Sequence, residues 1–197
     1  DIIKTNIKRE KIKFLPIPVD PNIESEKFFE TTKSKDLFFG LSHGVNYGKL
    51  KKKFTDERTQ FINDLIKKGD NKFNYHFLGI FNEEPKWNYE FNNEVKISKT
   101  ALNLSRGGPS KYCSSNRIAS LMGNGILPFI DEKIYYQDFF NNDEIITYKN
   151  VDDLLIKLEK IISNNKELIR RSKNAKKSYF SYFENTIVAD SIINSIY

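Results

Sequence analysis

Along the chain, short and continuously apolar runs alternate with longer stretches whose apolar residues recur every three or four positions. The run KDLFFGLSHG, residues 35–44, is the first of the short kind. Its closing glycines predict a buried parallel strand near Asp36 to Leu41 that feeds a tight loop. TDERTQFINDLIKKG, residues 55–69, opens with a Thr/Asp start signal and sets Phe61, Ile62, Leu65 and Ile66 along one face. Gly69 is its stop, so the stretch reads as an amphipathic helix. KFNYHFLGI, residues 72–80, is aromatic-rich and strand-like. NNEVKISKTALNLSR, residues 92–106, reads as a helical turn followed by a strand from about Ala101 to Leu104.

The second half continues the alternation. SSNRIASLMGNG, residues 114–125, carries a serine cap, Ile118, Leu121 and Met122 on one face, and a glycine stop; ILPFID then supplies a strand. EIITY, residues 144–148, makes another short strand, and VDDLLIKLEKIISNN an amphipathic helix beginning at an acidic cap. Two further helical segments fill roughly residues 166–181 and 184–196. IKFLPIPVDPN, residues 12–22, instead mixes apolar residues with prolines, which favours an extended connector. Residues 1–22 are therefore read as a linker region and 23–197 as one domain. The order is strand, helix, strand, helix, strand, helix, strand, strand, helices, without internal repeat. It predicts an α/β fold: a parallel sheet with helices on both faces and a helical C-terminus.

Composition narrows this picture only a little. The 197 residues suffice for a sizeable core. With 39% hydrophobic and 29% charged residues the chain is globular in character, and no apolar run approaches the ~20 residues that span a bilayer. The single cysteine, Cys113, excludes an internal disulfide and a cysteine-based zinc site and fits a reducing compartment, so a cytoplasmic location is expected. No obvious base sits beside Cys113, which reads as a buried or incidental thiol. The formal charge of +6 favours anionic partners, but the basic residues are spread throughout. The densest run, KLKKKF at 49–54, is short and lacks interleaved aromatics, so it reads as a solvated loop and no nucleic-acid partner is expected. The opening DIIKTNIKRE has neither an initiator methionine nor the pattern of a secretory signal, and is expected to be a boundary within a longer protein.

Ligands of open α/β sheets bind outside the carboxyl ends of the strands. That directs attention to the loops GLSHGVNYG, SRGGPSKYCSSNR and DEKIYYQ. The second is the richest. Its glycines let backbone approach a ligand, Ser114, Ser115 and Asn116 can cap the next helix with its amides facing a phosphate, and Arg106 and Arg117 supply charge. The plainer alternative is that the serines only cap and Gly-Gly-Pro only turns. Arg117, in the first helical turn, opposes the helix dipole, which fits an anionic neighbour. His43, in a glycine-flanked loop, can donate to a phosphate or sugar hydroxyl or be a plain surface histidine. His76, inside a strand pattern, reads as structural. Arg58 can reach a bound anion from the first helix or be a solvated helix-face arginine. Neither a Walker loop nor GxGxxG occurs, which counts against a P-loop nucleotidase and a dinucleotide oxidoreductase. Two histidines without ligand spacing count against zinc. Asp152 and Asp153 read as helix caps, and Tyr135 and Tyr136 as core aromatics or ligand contacts at a strand end.

The runs KISKTALNLSRG, SSNRIASLMGNGILPFID, EIITYKNVDDLLIKLEKII and AKKSYFSYFENTIVADSII, in that order, resemble the C-terminal half of GT-B glycosyltransferases. Nearest are the glycosyl-transferases-group-1-like proteins related to the spore-maturation type. FFGLSHG, with the following Arg58 and Phe61-Ile62, looks like that family's first strand and loop, and the resemblance covers roughly residues 12–197. It implies a Rossmann-like donor domain that binds a nucleotide-activated sugar against an N-terminal acceptor domain absent from this chain. FLPIPVD would join the two and the final helix would return toward the partner. It further implies hexosyl transfer in bacterial surface-glycan synthesis, peripheral membrane association through the acceptor, the nucleotide-sugar as substrate and no metal or other cofactor. The domain alone is expected to bind donor and turn over little. By position, Gly40, Ser42, His43 and Gly44 would face the donor phosphates and sugar, and Ser114, Ser115, Asn116 and Arg117 would hold the diphosphate. The family's two glutamates, seven residues apart, fall here on Tyr112 and Ser120. That departure keeps open a non-catalytic sugar-nucleotide-binding or interaction module of the same fold. A receiver-type domain is disfavoured, because GLSHG rather than an acidic cluster ends the first strand.

Overall fold

Short strands that are apolar on both faces need helices on both sides of the sheet they form. The computed structural model describes residues 14–41, 45–46, 49–50 and 57–196, and it assembles them in this way. The elements are β1 (Lys35–Gly40), β2 (Val45–Asn46), β3 (Lys49–Leu50), α1 (Glu57–Gly69), β4 (Tyr75–Leu78), α2 (Asn88–Val95) and β5 (Ser98–Asn103). They continue with α3 (Asn116–Gly123), β6 (Leu127–Asp131), β7 (Ile146–Tyr148), α4 (Val151–Ile162), α5 (Asn165–Phe183) and α6 (Asn185–Ile196). The sheet order is β4-β1-β5-β6-β7 with every pair parallel, while β2 and β3 form a separate two-residue antiparallel pair. Right-handed crossovers change face when the chain reverses direction across a sheet. Thus α1 lies on one face with α4 beside it, and α3 on the other beside α5. No described helix is long and apolar enough to cross a membrane.

Among the differences from the sequence expectation, three boundaries and one helix cap have a local reason. β5 begins at Ser98, three residues before Ala101, because Ser98 and Thr100 are fully buried despite their hydroxyls. Thr100 Oγ1 donates to the Asp36 carbonyl at 2.7 Å, so its polar group is satisfied inside the sheet. α2 starts at Asn88, well before residue 92, and its first turn is exposed, leaving no apolar period to mark it. β7 begins only at Ile146, since the Glu144 carboxylate accepts the Asn141 amide in the preceding turn. α4 is capped by Asn150, which accepts the Asp153 amide at 3.0 Å, and not by the acidic pair. Asp153 reaches back to the Lys149 amide and pairs with Lys157, and Asp152 pairs with Lys68 of α1. His76 of β4 lies 2.9 Å from the Glu94 carboxylate of α2 with its ring against Phe38, a packing arrangement.

The stretch from Phe14 to Val19 lies against α5. Val19 is fully buried, bridges Glu184 and donates its amide to the Phe183 carbonyl. The Ile17 carbonyl accepts from Tyr179 Oη at 3.0 Å. Lys176 of α5 fastens the following residues, its Nζ donating to the carbonyls of Glu24, Glu26 and Gly123 at 2.6–2.8 Å. Three carbonyls converging on one ammonium join the N-terminal stretch, the end of α3 and α5 into one unit.

Candidate functional site

The chain leaves β1 toward β4 on one side and later enters β5 on the other, so the topological switch lies between β1 and β5. The loop that departs from β5 there, residues 104–115, is the SRGGPSKYCSS stretch, and it delivers the chain to the N-terminus of α3. Gly107 and Gly108 turn it with φ of 76° and 84°, a left-handed backbone that side chains resist. The Gly107 amide donates to the Glu57 carboxylate at the start of α1. Arg106 beside them is exposed.

Ser115 is the cap of α3: its Oγ accepts the Ile118 amide at 3.3 Å. Ser114 has a different task, accepting the Ile17 amide at 2.8 Å, and so fixes the N-terminal stretch instead of the helix. Asn116 is exposed on the first turn. Arg117 turns back over the sheet edge. Its Nη1 donates to the Leu104 carbonyl at 3.0 Å, and its guanidinium lies 5.1 Å from the centre of the Phe39 ring. One half-buried arginine thereby bridges the ends of β5 and β1, across the switch, with the positive end of the α3 dipole beside it.

Beside this lies a cleft of about 150 Å³ between α1, the β5 loop and the ends of β6 and β7. Arg58 lines it and is only 7% exposed, which overturns the reading of a solvated helix-face arginine. Glu57, Ser105, Asp131 and Tyr148 line it as well. The Tyr148 hydroxyl is buried with no hydrogen-bond partner among the described residues. Burial foremost, and the Asp131 charge after it, push the Tyr148 phenol far above its ordinary pKa, so it stays neutral. Glu57 and Tyr148 escaped sequence reasoning, and Asp131 entered it only as the first residue of the loop DEKIYYQ, without a role. The signal that could have found Asp131 and Tyr148 was position alone, each being the last residue of a parallel strand.

Gly40 closes β1 in a tight place, where a Cβ would stand 3.2 Å from both the Phe38 and the Phe91 rings and those rings would have to give by a few tenths of an ångström. Ser42, His43 and Gly44 lie outside the described residues. Tyr112 is held by packing. Its ring lies 5.3 Å from that of Phe14 and 5.0 Å from that of Phe139, and its hydroxyl donates to Asp138 at 2.6 Å. Ser120 sits one turn along α3 from Asn116 and Arg117, half-buried, its carbonyl accepting from Asn124. The structure thus gathers Arg58, Arg106, Ser115, Asn116, Arg117 and Ser120 at or near the carboxyl edge of the sheet. Cationic groups and a helix N-terminus there, next to the carboxylates of Glu57 and Asp131 and a serine hydroxyl, suit a polyanion that also carries hydroxyls.

Residues 58–194, most of the chain, match the family described as glycosyl transferase-like. No curated protein sequence matches the chain. Among solved structures, it is similar to a sucrose-phosphate synthase from Thermosynechococcus elongatus at 8% identity and a TM-score of 0.62, over 92% of this chain and 51% of that one. A glycosyltransferase from Rickettsia africae ESF-5 is similar at 12% identity and a TM-score of 0.61, over 95% and 57%. The phage T4 protein BGT, solved with its UDP-glucose substrate, is similar at 13% identity and a TM-score of 0.53, over 93% and 52%. The chain therefore spans only about half the length of each of these proteins.

Proposed function

The chain belongs to the glycosyl transferase-like family and has the Rossmann-like fold of a GT-B glycosyltransferase domain, and from that premise we propose that it binds the nucleotide-activated sugar from which a hexosyl group is transferred. The observation that carries this reading is Arg117, drawn across the topological switch onto Leu104 and Phe39 at the mouth of α3. Negative charge grows on the departing nucleoside diphosphate in the transition state. Arg117, Arg106 and the α3 dipole stabilise that charge, Arg58 adds to the field from the adjoining cleft, and Glu57 and Asp131 accept hydrogen bonds from ribose or hexose hydroxyls. An acceptor domain facing this cleft completes the enzyme and supplies the base, in the assembly of a bacterial surface glycan on the cytoplasmic side of the membrane. Because a protein sharing the fold was solved with UDP-glucose, uridine diphosphate sugars are the first donors to test. Calorimetry with a panel of nucleoside diphosphates and their sugars is expected to show binding in the roughly micromolar-to-millimolar range of substrates. A folded chain that binds none of them would refute the proposal.

A second reading, a non-catalytic binding module, draws on Tyr112 and Ser120. With Tyr112 packed between Phe14 and Phe139, neither position presents a carboxylate to the donor. Donor turnover by the full-length protein would exclude it.

A further inference from the structure

We infer that a second cavity, at the amino ends of the strands, is a binding site for a small organic phosphate. It measures about 600 Å³, within the range of small-molecule sites and about four times the cleft at the carboxyl edge. It lies between the residues that lead into β1, the start of β5 and the first half of α5, and Phe29, Lys33, Lys99, Leu168, Ser172 and Lys173 are among its walls. With strands of five to six residues, it stands roughly 20 Å from the donor cleft.

The charges around it do not balance. Lys99 is matched by Asp36 at 2.9 Å. Lys33 forms no ion pair with a carboxylate among the described residues, although Glu30 shares the cavity wall, and its Nζ donates to the Lys96 carbonyl at 2.8 Å. The Lys173 ammonium lies 5.4 Å from the centre of the Phe29 ring, again with no carboxylate among the described residues. The other charges near Lys33 are Glu30 on its own segment, Asp36 and Lys99 on the neighbouring strands, and Lys96, whose own ammonium donates to Asn93. Partial burial lowers the Lys33 pKa to about 8. An under-solvated ammonium of this kind is what an incoming phosphate neutralises. Phe29, Leu168 and Ile169 supply an apolar wall for the body of the molecule, and Ser172 a buried hydroxyl. Near pH 8, where Lys33 is about half protonated, binding of the anion then draws a proton onto it.

Phenyl phosphate is the probe, with benzyl alcohol as the uncharged control, titrated calorimetrically near pH 8 in buffers of different ionisation heat. The expected result is binding of phenyl phosphate alone, at roughly millimolar affinity or tighter, accompanied by proton uptake. Lys33→Met and Lys173→Met should each weaken it by about ten-fold or more. Lys173 is exposed, so that variant keeps the fold whatever Lys33→Met does. Uridine diphosphate binding, where present, should be unchanged in both variants and should not displace the probe. No binding, equal binding by the wild type and Lys173→Met, or displacement by uridine diphosphate would each overturn the inference.

Discussion

Replacing Arg117 by leucine tests both the structure of the site and its use. The guanidinium makes a charged hydrogen bond to the Leu104 carbonyl at 3.0 Å and stacks on Phe39 at 5.1 Å. The first contributes about 1.5–2 kcal/mol, since Leu104 is buried and its carbonyl is left without that donor. The second, half-buried, contributes about 0.5–1 kcal/mol. The loss is therefore about 2–3 kcal/mol, or roughly 4–12 °C in Tm for a chain of this size. Urea denaturation followed by circular dichroism measures it. Lysine at the same position keeps the charge but not the planar fork, and should recover less than half of the loss. A leucine variant as stable as the wild type to within about 0.5 kcal/mol, the scatter of a neutral surface change, would show that the guanidinium does not bridge β1 and β5. In a variant that stays folded, affinity for a nucleoside diphosphate should fall by about ten-fold or more. Unchanged affinity would remove Arg117 from the donor site.

Two glycines with similar backbones should respond differently to alanine. Gly79, with φ of 71°, would drive a Cβ onto the Leu41 carbonyl, so Gly79→Ala should cost roughly 3 kcal/mol or more, whereas Gly107, with φ of 76° and open space around it, should cost only about 1 kcal/mol; equal urea midpoints would contradict this. In an alkaline near-ultraviolet titration, Tyr75 and Tyr136, pushed up to about 12 by burial, should ionise well after the exposed tyrosines. Their folded pKa values are raised, so the stability they confer is intact below about pH 10 and lost as the pH rises through about 12. Lys33 has the opposite sign: its folded pKa is depressed, and stability rises between about pH 8 and pH 10.5 as the buried charge is relieved. Denaturation midpoints across this range should therefore climb and then fall, and Lys33→Met should flatten the climb.

How far the sequence carries can be judged from particular elements. In α1, Ile62 and Leu65 are buried and Phe61 and Ile66 half-buried, as their spacing predicts, and Gly69 ends the helix. Ser115 caps α3 as its position before Ile118 implies. Such signals are local, because a helix period and its caps lie within one or two turns of chain. β5 was legible only in part. Lys99 points its charge at Asp36 and Thr100 hides its hydroxyl on the Asp36 carbonyl, and both partners come from a strand more than sixty residues away. Arg58 likewise reads as a surface residue until the β5 loop and the ends of β6 and β7 close over it.

The alternation of apolar runs and amphipathic stretches is enough to determine that this chain forms a parallel sheet between helices, because each element must bury the face that its own residues make apolar. The glycine loop before a serine-capped helix is also a property of the sequence alone. Which of its polar groups serve the site is not. Ser114 is claimed by Ile17 and Tyr112 by Phe14 and Phe139, while Arg117 is swung onto Leu104 and Phe39, and Glu57, Asp131 and Tyr148 arrive from three other elements. Those assignments depend on which strands become neighbours, and strand order is fixed by long-range packing that no local pattern encodes.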